Sequence, residues 1–136
     1  MLNRSGYRIL NRTRNTVIAD QVEIADSFWA RARGLIGRRE IPNGFGLAIK
    51  PCNGIHTLFM SVAVDVGYVS RDGHIVRILH GIKPWRQRPI VPKSAWVIEL
   101  PTGVVRATGT QVGDLIDFVV EPMSKEEARH AKQSGG

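Results

Sequence analysis

Apolar and polar residues alternate along most of this chain in short runs broken by turn formers, a pattern that predicts strands. Residues 7–11 (Tyr-Arg-Ile-Leu-Asn) form a β-type run closed by the polar turn Arg12-Thr13-Arg14-Asn15. In residues 16–25, Val22 and Ile24 alternate with Gln21 and Glu23, the period of a strand with one face buried and one in water. Together the two runs predict an opening hairpin. Residues 45–50 read as a third strand, stopped by Pro51. Residues 62–70 and 75–82 follow as a pair, joined by Arg71-Asp72-Gly73-His74, whose Asp-Gly step is a strong hairpin signal. Residues 95–100 and 115–121 complete the set, the last entered through the tight turn Gln111-Val112-Gly113-Asp114.

Helical signals are few. Ser27 is placed to cap a short helix through about Gly34, with Phe28, Ala32 and Leu35 near one face. So short a helix needs a sheet to pack against. Residues 103–109 predict a brief helical turn, and the Lys/Glu/Ala-rich stretch from Ser124 predicts at most a surface helix before a frayed end. The expectation is a mostly β protein: a single-domain β-sandwich or jelly-roll-like fold, or a partly closed barrel, with one short helix. Residues 1–123 would be that domain and residues 124–136 a flexible tail.

The bulk numbers refine this without redirecting it. At 136 residues, with 43% hydrophobic and 23% charged, the chain can bury a core and is not disordered as a whole. No apolar run approaches the roughly 20 residues that span a bilayer, and Arg4, Arg8, Arg12 and Arg14 precede no signal-peptide apolar core. A cytoplasmic location without membrane contact is expected. The single cysteine, Cys52, cannot form an internal disulfide. A net charge of +7 raises the question of anionic partners, but most of the basic residues are scattered.

Chemistry concentrates in residues 52–65, which hold Cys52, His56, Thr57, Met60 and Asp65. If the first part is extended, His56, Leu58 and Met60 share one face. A carboxylate between Val64 and Val66 is costly to bury unless hydrogen-bonded or paired. Asp65 therefore either fixes the fold by accepting from backbone amides or from His56, or belongs to a polar pocket with His56, Thr57 and Glu99. The segment offers no strong metal motif, because Cys52, His56 and Asp65 lack the paired ligand spacing of zinc sites. Cys52 and His56 four apart could form a nucleophile and base, but a lone cysteine is more often a small core residue. The stretches Gly34-Leu35-Ile36-Gly37 and Gly44-Phe45-Gly46 lack the ending of a phosphate loop, which excludes nucleotide hydrolysis by that device.

The other concentration is a proline-rich loop from Lys83 to Lys93, carrying Trp85, Arg86 and Arg88. Its cations could meet phosphates while Trp85 stacks on a base. The plainer account is a solvated crossover stiffened by proline, and nucleic acid is the lesser of the two readings.

Several of these motifs, taken in order, resemble a known family. Arg33-Gly34-Leu35-Ile36-Gly37-Arg38, Gly46-Leu47, Ile55-His56-Thr57-Leu58-Phe59-Met60, Val64-Asp65-Val66, Asp72-Gly73, Glu99-Leu100-Pro101-Thr102-Gly103 and Gly113-Asp114 are similar to the uncharacterised family called domain of unknown function 192. The likeness runs from about Val17 to Val120. It implies a compact β-sandwich or jelly-roll-like fold and no established activity. The family often has proline two residues before the aspartate, where this chain has Ala63.

The functional expectation is a non-enzymatic binding module with a small-molecule, carbohydrate or peptide pocket formed by His56, Thr57, Met60, Asp65 and Glu99. The alternatives are a hydrolase using His56 with Asp65 or Glu99, and a weak nucleic-acid binder through Lys83, Trp85, Arg86, Arg88 and Lys93. No catalytic residue, metal ligand or cofactor is assigned. A small-molecule or anionic ligand is the expected partner.

Overall fold

The structure is a computed structural model, and it describes residues 2–25, 43–49, 62–83 and 91–120. Among the described residues, seven strands form one sheet: β1 (Leu2–Asn11), β2 (Thr16–Ala25), β3 (Phe45–Ile49), β4 (Val64–Ser70), β5 (Ile75–Ile82), β6 (Ser94–Pro101) and β7 (Ile116–Val120). A short helix, α1 (Val104–Ala107), lies between β6 and β7. The expected helix from Ser27 falls outside the described residues, as do the basic loop's centre and the C-terminal tail. The brief helical turn expected at residues 103–109 is α1.

The strand order is β5-β4-β6-β3-β2-β1-β7. The opening hairpin β1–β2 is antiparallel, as its pattern predicts. β2 and β3 run parallel, a pairing that requires the long connection between them. β4–β5 is the hairpin signalled by Asp72-Gly73, and Gly73 takes the positive φ of 94° that the turn requires. The sheet curls until its two end strands meet. His74 at the head of β5 bridges Leu115 just before β7. Ile75 N–H donates to Asp114 O (2.9 Å), Gly113 N–H to Ile75 O (2.7 Å) and Ile116 N–H to Gly73 O (2.8 Å). Of the architectures expected, the partly closed barrel is the one formed.

The curl creates two apolar layers. One draws on all seven strands and α1, through Ile9, Val22, Ala48, Ile98, Leu100, Val105 and Ile116 among others, and lines the inside of the curl. The other lies on the opposite face of β3, β4 and β6, with Phe45, Leu47, Ile49, Val66, Tyr68 and Val97. These central strands are therefore buried on both faces, and their alternation of apolar and polar positions gives way to nearly continuous burial. Gly67 marks how closely the inner layer is packed, since a Cβ there would lie 2.9 Å from Ile98. Glu23 departs from the simple alternation: it is buried, because it is in register with Leu47 on the second layer's face.

Candidate functional site

Asp65 sits in β4 with its backbone in the middle of the sheet, paired with Leu100 of β6. Its side chain therefore faces the inside of the curl, where it is 1% exposed. Three backbone amides converge on it. Gly81 N–H donates to Oδ1 at 2.9 Å, and Gly103 and Val105 N–H donate to Oδ2 at 3.0 and 3.2 Å.

Each donor is delivered by a local irregularity. In the β4–β5 ladder, Val64 pairs with Ile82 and Val66 with Leu79, so His80 and Gly81 together oppose the single residue Asp65. This is a β-bulge, and Gly81 adopts a φ of 57° within it. On the other side, Gly103 is the N-cap of α1 with a φ of 96° and, lacking a side chain, cannot cap the helix itself. The free amides at the start of α1, Val105's in the interior and Gly103's nearer the surface, would otherwise lack a cap. Asp65, 38 residues earlier in the chain, satisfies them instead. It is a cap supplied from a distant strand, and it ties β4, β5 and α1 at one corner of the sheet.

That corner opens outward as a cleft of about 300 Å3, lined by Asp65, His80, Gly81, Thr102, Gly103 and Arg106. Asp65 forms the floor; His80, Thr102 and Arg106 are exposed on the rim. Among the described residues, none of these three rim side chains has a hydrogen-bond or ion-pair partner. Sequence reasoning finds Asp65 but not His80, Thr102 or Arg106. Thr102 stands in the Glu99-Leu100-Pro101-Thr102-Gly103 motif of the family resemblance, whereas the sequence signal for His80 and Arg106 is proximity to glycine, Gly81 in a strand and Gly103 after one, where bends bring distant residues together.

The expected pocket residues divide. Asp65 is in place at the cleft. Glu99 is also buried, at 2% exposure, but it pairs with Val66 and Leu47. Paired residues on neighbouring strands point the same way, so Glu99 faces the second apolar layer, on the side of the sheet opposite Asp65. The two carboxylates do not share a site. His56, Thr57, Met60 and Cys52 lie outside the described residues. So do Trp85, Arg86 and Arg88, while Lys83 and Lys93 are exposed. Among the described residues, no three of the His, Cys, Asp and Glu side chains come together as metal ligands.

Two other polar clusters merit separation from the cleft. Ser70, Asp72 and His74 contain the residue types of a catalytic triad, but in the wrong arrangement. The Ser70 hydroxyl donates to Asp72 and accepts from the His74 backbone N–H at 3.1 Å. The His74 Nδ1 lies 3.3 Å from Asp72, not on the serine. The bond from Ser70, with the help of His74, holds the Asp72 carboxyl below its ordinary value. This is a turn lock, not a nucleophile. The second cluster surrounds Asp114, which is 3% exposed where the curl closes. Its Oδ2 accepts from Asn11 Nδ2 (2.9 Å), Arg14 Nε (3.1 Å) and Gln111 N–H (2.9 Å). Burial pushes its carboxyl up, but the bonds from Asn11, Gln111 and Arg14 outweigh that and hold it below the ordinary value.

The fold and the corner site thus define a class: a half-barrel β domain in which a buried aspartate caps a helix across the sheet and floors an open cleft. The chain belongs to the uncharacterised family DUF192, "Uncharacterized ACR", whose model matches residues 9–118. A UPF0127 protein of Thermococcus sibiricus is 32% identical over 120 residues, covering 83% of this chain and 75% of its own length. A UPF0127 protein of Pyrococcus furiosus is 32% identical over 117 residues, covering 81% of this chain and 97% of its own. Among solved structures, a protein of unknown function from Novosphingobium aromaticivorans shares the fold with a TM-score of 0.69 at 18% identity, over 82% of each chain. A putative transcription regulator from Sinorhizobium meliloti also has a TM-score of 0.69, at 23% identity over 82% of this chain and 91% of its own. At such identities the likeness is one of fold. Among the described residues, no helix is long and apolar enough to cross a membrane.

Proposed function

We propose that this protein is a non-enzymatic binding module whose ligand occupies the cleft over Asp65. One observation carries the reading: a concavity of about 300 Å3 with a rigid floor and an uncommitted polar rim. Asp65 is held by three amides, so the floor is set before a ligand arrives. A pre-formed site loses little ordering entropy on binding. Among the described residues, nothing engages the side chains of His80, Thr102 and Arg106. The cleft stands at the head of β4, the strand into which the signature segment of residues 52–65 leads.

The hydrolase alternative needs His56 to work with Asp65 or Glu99. Asp65 accepts three backbone bonds, and Glu99 faces the other side of the sheet. Both facts weigh against a shared acid–base pair, which requires two groups within reach of one substrate.

The test is a fragment screen read by thermal shift, run on the protein and on Thr102→Trp. Thr102 is exposed, so the indole fills the cleft without disturbing the core. Fragments that raise the melting temperature of the protein should lose that effect in the variant. Hits that bind both equally, or turnover of any hit, would defeat the reading.

A further inference from the structure

We infer that the cleft over Asp65 selects ligands carrying an anionic group, a carboxylate or a phosphate, and that Arg106 is the residue that recognises it. This rests on the binding-module reading and names the chemistry of its ligand.

Charge in the cleft is divided between floor and rim. Among the described residues, the only acidic side chain in the lining is Asp65, and its carboxylate already faces three N–H donors within 3.2 Å. The rim carries a guanidinium, an imidazole and a hydroxyl. Arg106 projects from α1, where it is exposed. The two arginines at the closure of the curl differ: Arg12 is bound to Asp117 at 2.8 Å and Arg14 to Asp114 at 3.1 Å. Arg106 has no such partner among the described residues. A guanidinium offers five donors in a planar fork that matches carboxylate and phosphate oxygens.

Space allows the approach. A Cβ built on Gly103 would meet nothing within 4 Å, and one on Gly81 only Thr102 Cγ2 at 3.6 Å. The main chain on both sides of the cleft is therefore open to a ligand lying against it. The Asp65 charge keeps the anion off the floor and directs it outward, between Arg106 and the Thr102 hydroxyl. A neutral sugar or amide can occupy the same volume, but it forgoes the charge-assisted bonds.

Matched probes test this at constant ionic strength, with binding followed through the backbone amide resonances of Gly81, Gly103 and Arg106. Butyrate is compared with butyramide, and glucose 6-phosphate with glucose. Each anionic probe should bind about tenfold more tightly than its neutral match, the size of one charge-assisted hydrogen bond. Arg106→Gln should remove that preference. Arg77→Gln, which deletes the same charge from an exposed position on β5, should leave it intact. Equal binding of anionic and neutral probes at these amides would overturn the anion selectivity while leaving the cleft a ligand site. Equal weakening by both variants would assign the effect to diffuse surface charge and also overturn it. If no probe moves these three resonances, the selectivity and the binding-module reading fall together.

Discussion

Asp65 and Asp114 are both buried carboxylates at corners of the same curled sheet, and they are satisfied by different chemistry. Among the described residues, Asp65 accepts only backbone donors, from Gly81, Gly103 and Val105. Asp114 accepts from two side chains and one amide, and the Arg14 guanidinium adds a formal charge. The first serves the main chain, capping a helical turn and holding a bulge. The second joins side chains at the seam where the β1–β2 turn meets the entry to β7. Backbone donors cannot be removed by mutation, so loss of Asp65 strands all three of its donors; loss of Asp114 frees Arg14 and the Gln111 amide at the surface to bond water and leaves buried Asn11 with Thr110 Oγ1 as an acceptor. The difference is in what remains after the carboxylate is gone.

That contrast sets an order of expected effects. Asp65→Ala should be the most damaging, because three backbone amides, Val105's buried and the other two half-buried, lose their acceptor at about 1 kcal/mol or more each. A loss of about 3 kcal/mol or more in urea unfolding is expected, and a loss below about 1 kcal/mol would show that water replaces the carboxylate. Asp114→Ala should cost less, about 2 kcal/mol, since Arg14 and Gln111 are exposed and can bond water while buried Asn11 keeps Thr110 Oγ1 as an acceptor. It should also change the acid response. A carboxyl whose folded value lies below its ordinary 3.8 stabilises the protein above that value and loses the contribution as pH falls through the folded one. Urea unfolding at pH 7 and pH 3 should therefore show a smaller loss on acidification in Asp114→Ala than in the parent. An unchanged loss would mean the acid response originates elsewhere.

Gly103→Ala sharpens the Asp65 side of the comparison. The new methyl group has open space, so its cost is that of a φ of 96°, about 1 kcal/mol. A much larger loss in melting temperature would indicate that the cap geometry collapses with it. The smallest effect is expected for Arg14→Gln at the other corner. The Arg14 side chain is 40% exposed, so its ion pair with Asp114 is screened and worth less than about 1 kcal/mol. A double-mutant cycle with Asp114→Asn measures it directly.

Strand placement was legible because it depends on local pattern. The runs at residues 16–25, 75–82 and 95–100 match β2, β5 and β6 to within a residue. β1 begins earlier than its apolar run, since Arg4 and Gly6 interrupt the pattern without ending the strand. Burial of Glu23 and Glu99 was not legible as a shared feature, because it arises from register with Leu47 across β3. The alternatives for Asp65 could be written down from Val64-Asp65-Val66, but its donors could not. A bulge at Gly81 and a cap at Gly103 come from chain far downstream, and nothing local marks them as its partners. Asp114 shows the same limit: its turn was visible, whereas Asn11 and Arg14 reach it from the other end of the chain.

The pairing of β1 with β7 has a consequence for how the molecule comes into being. Tyr7 through Asn11 find their second ladder partners at Val120 through Ile116, so β1 waits for a strand made much later in synthesis. Until Ile116 is available, the outer edge of β1 lacks that partner, and its unpaired amides and carbonyls offer a template to another chain. Closing so long a loop carries an entropic cost that local hairpins avoid, and such contacts slow folding. A polypeptide ending before Ile116 should therefore aggregate rather than accumulate as a smaller folded protein.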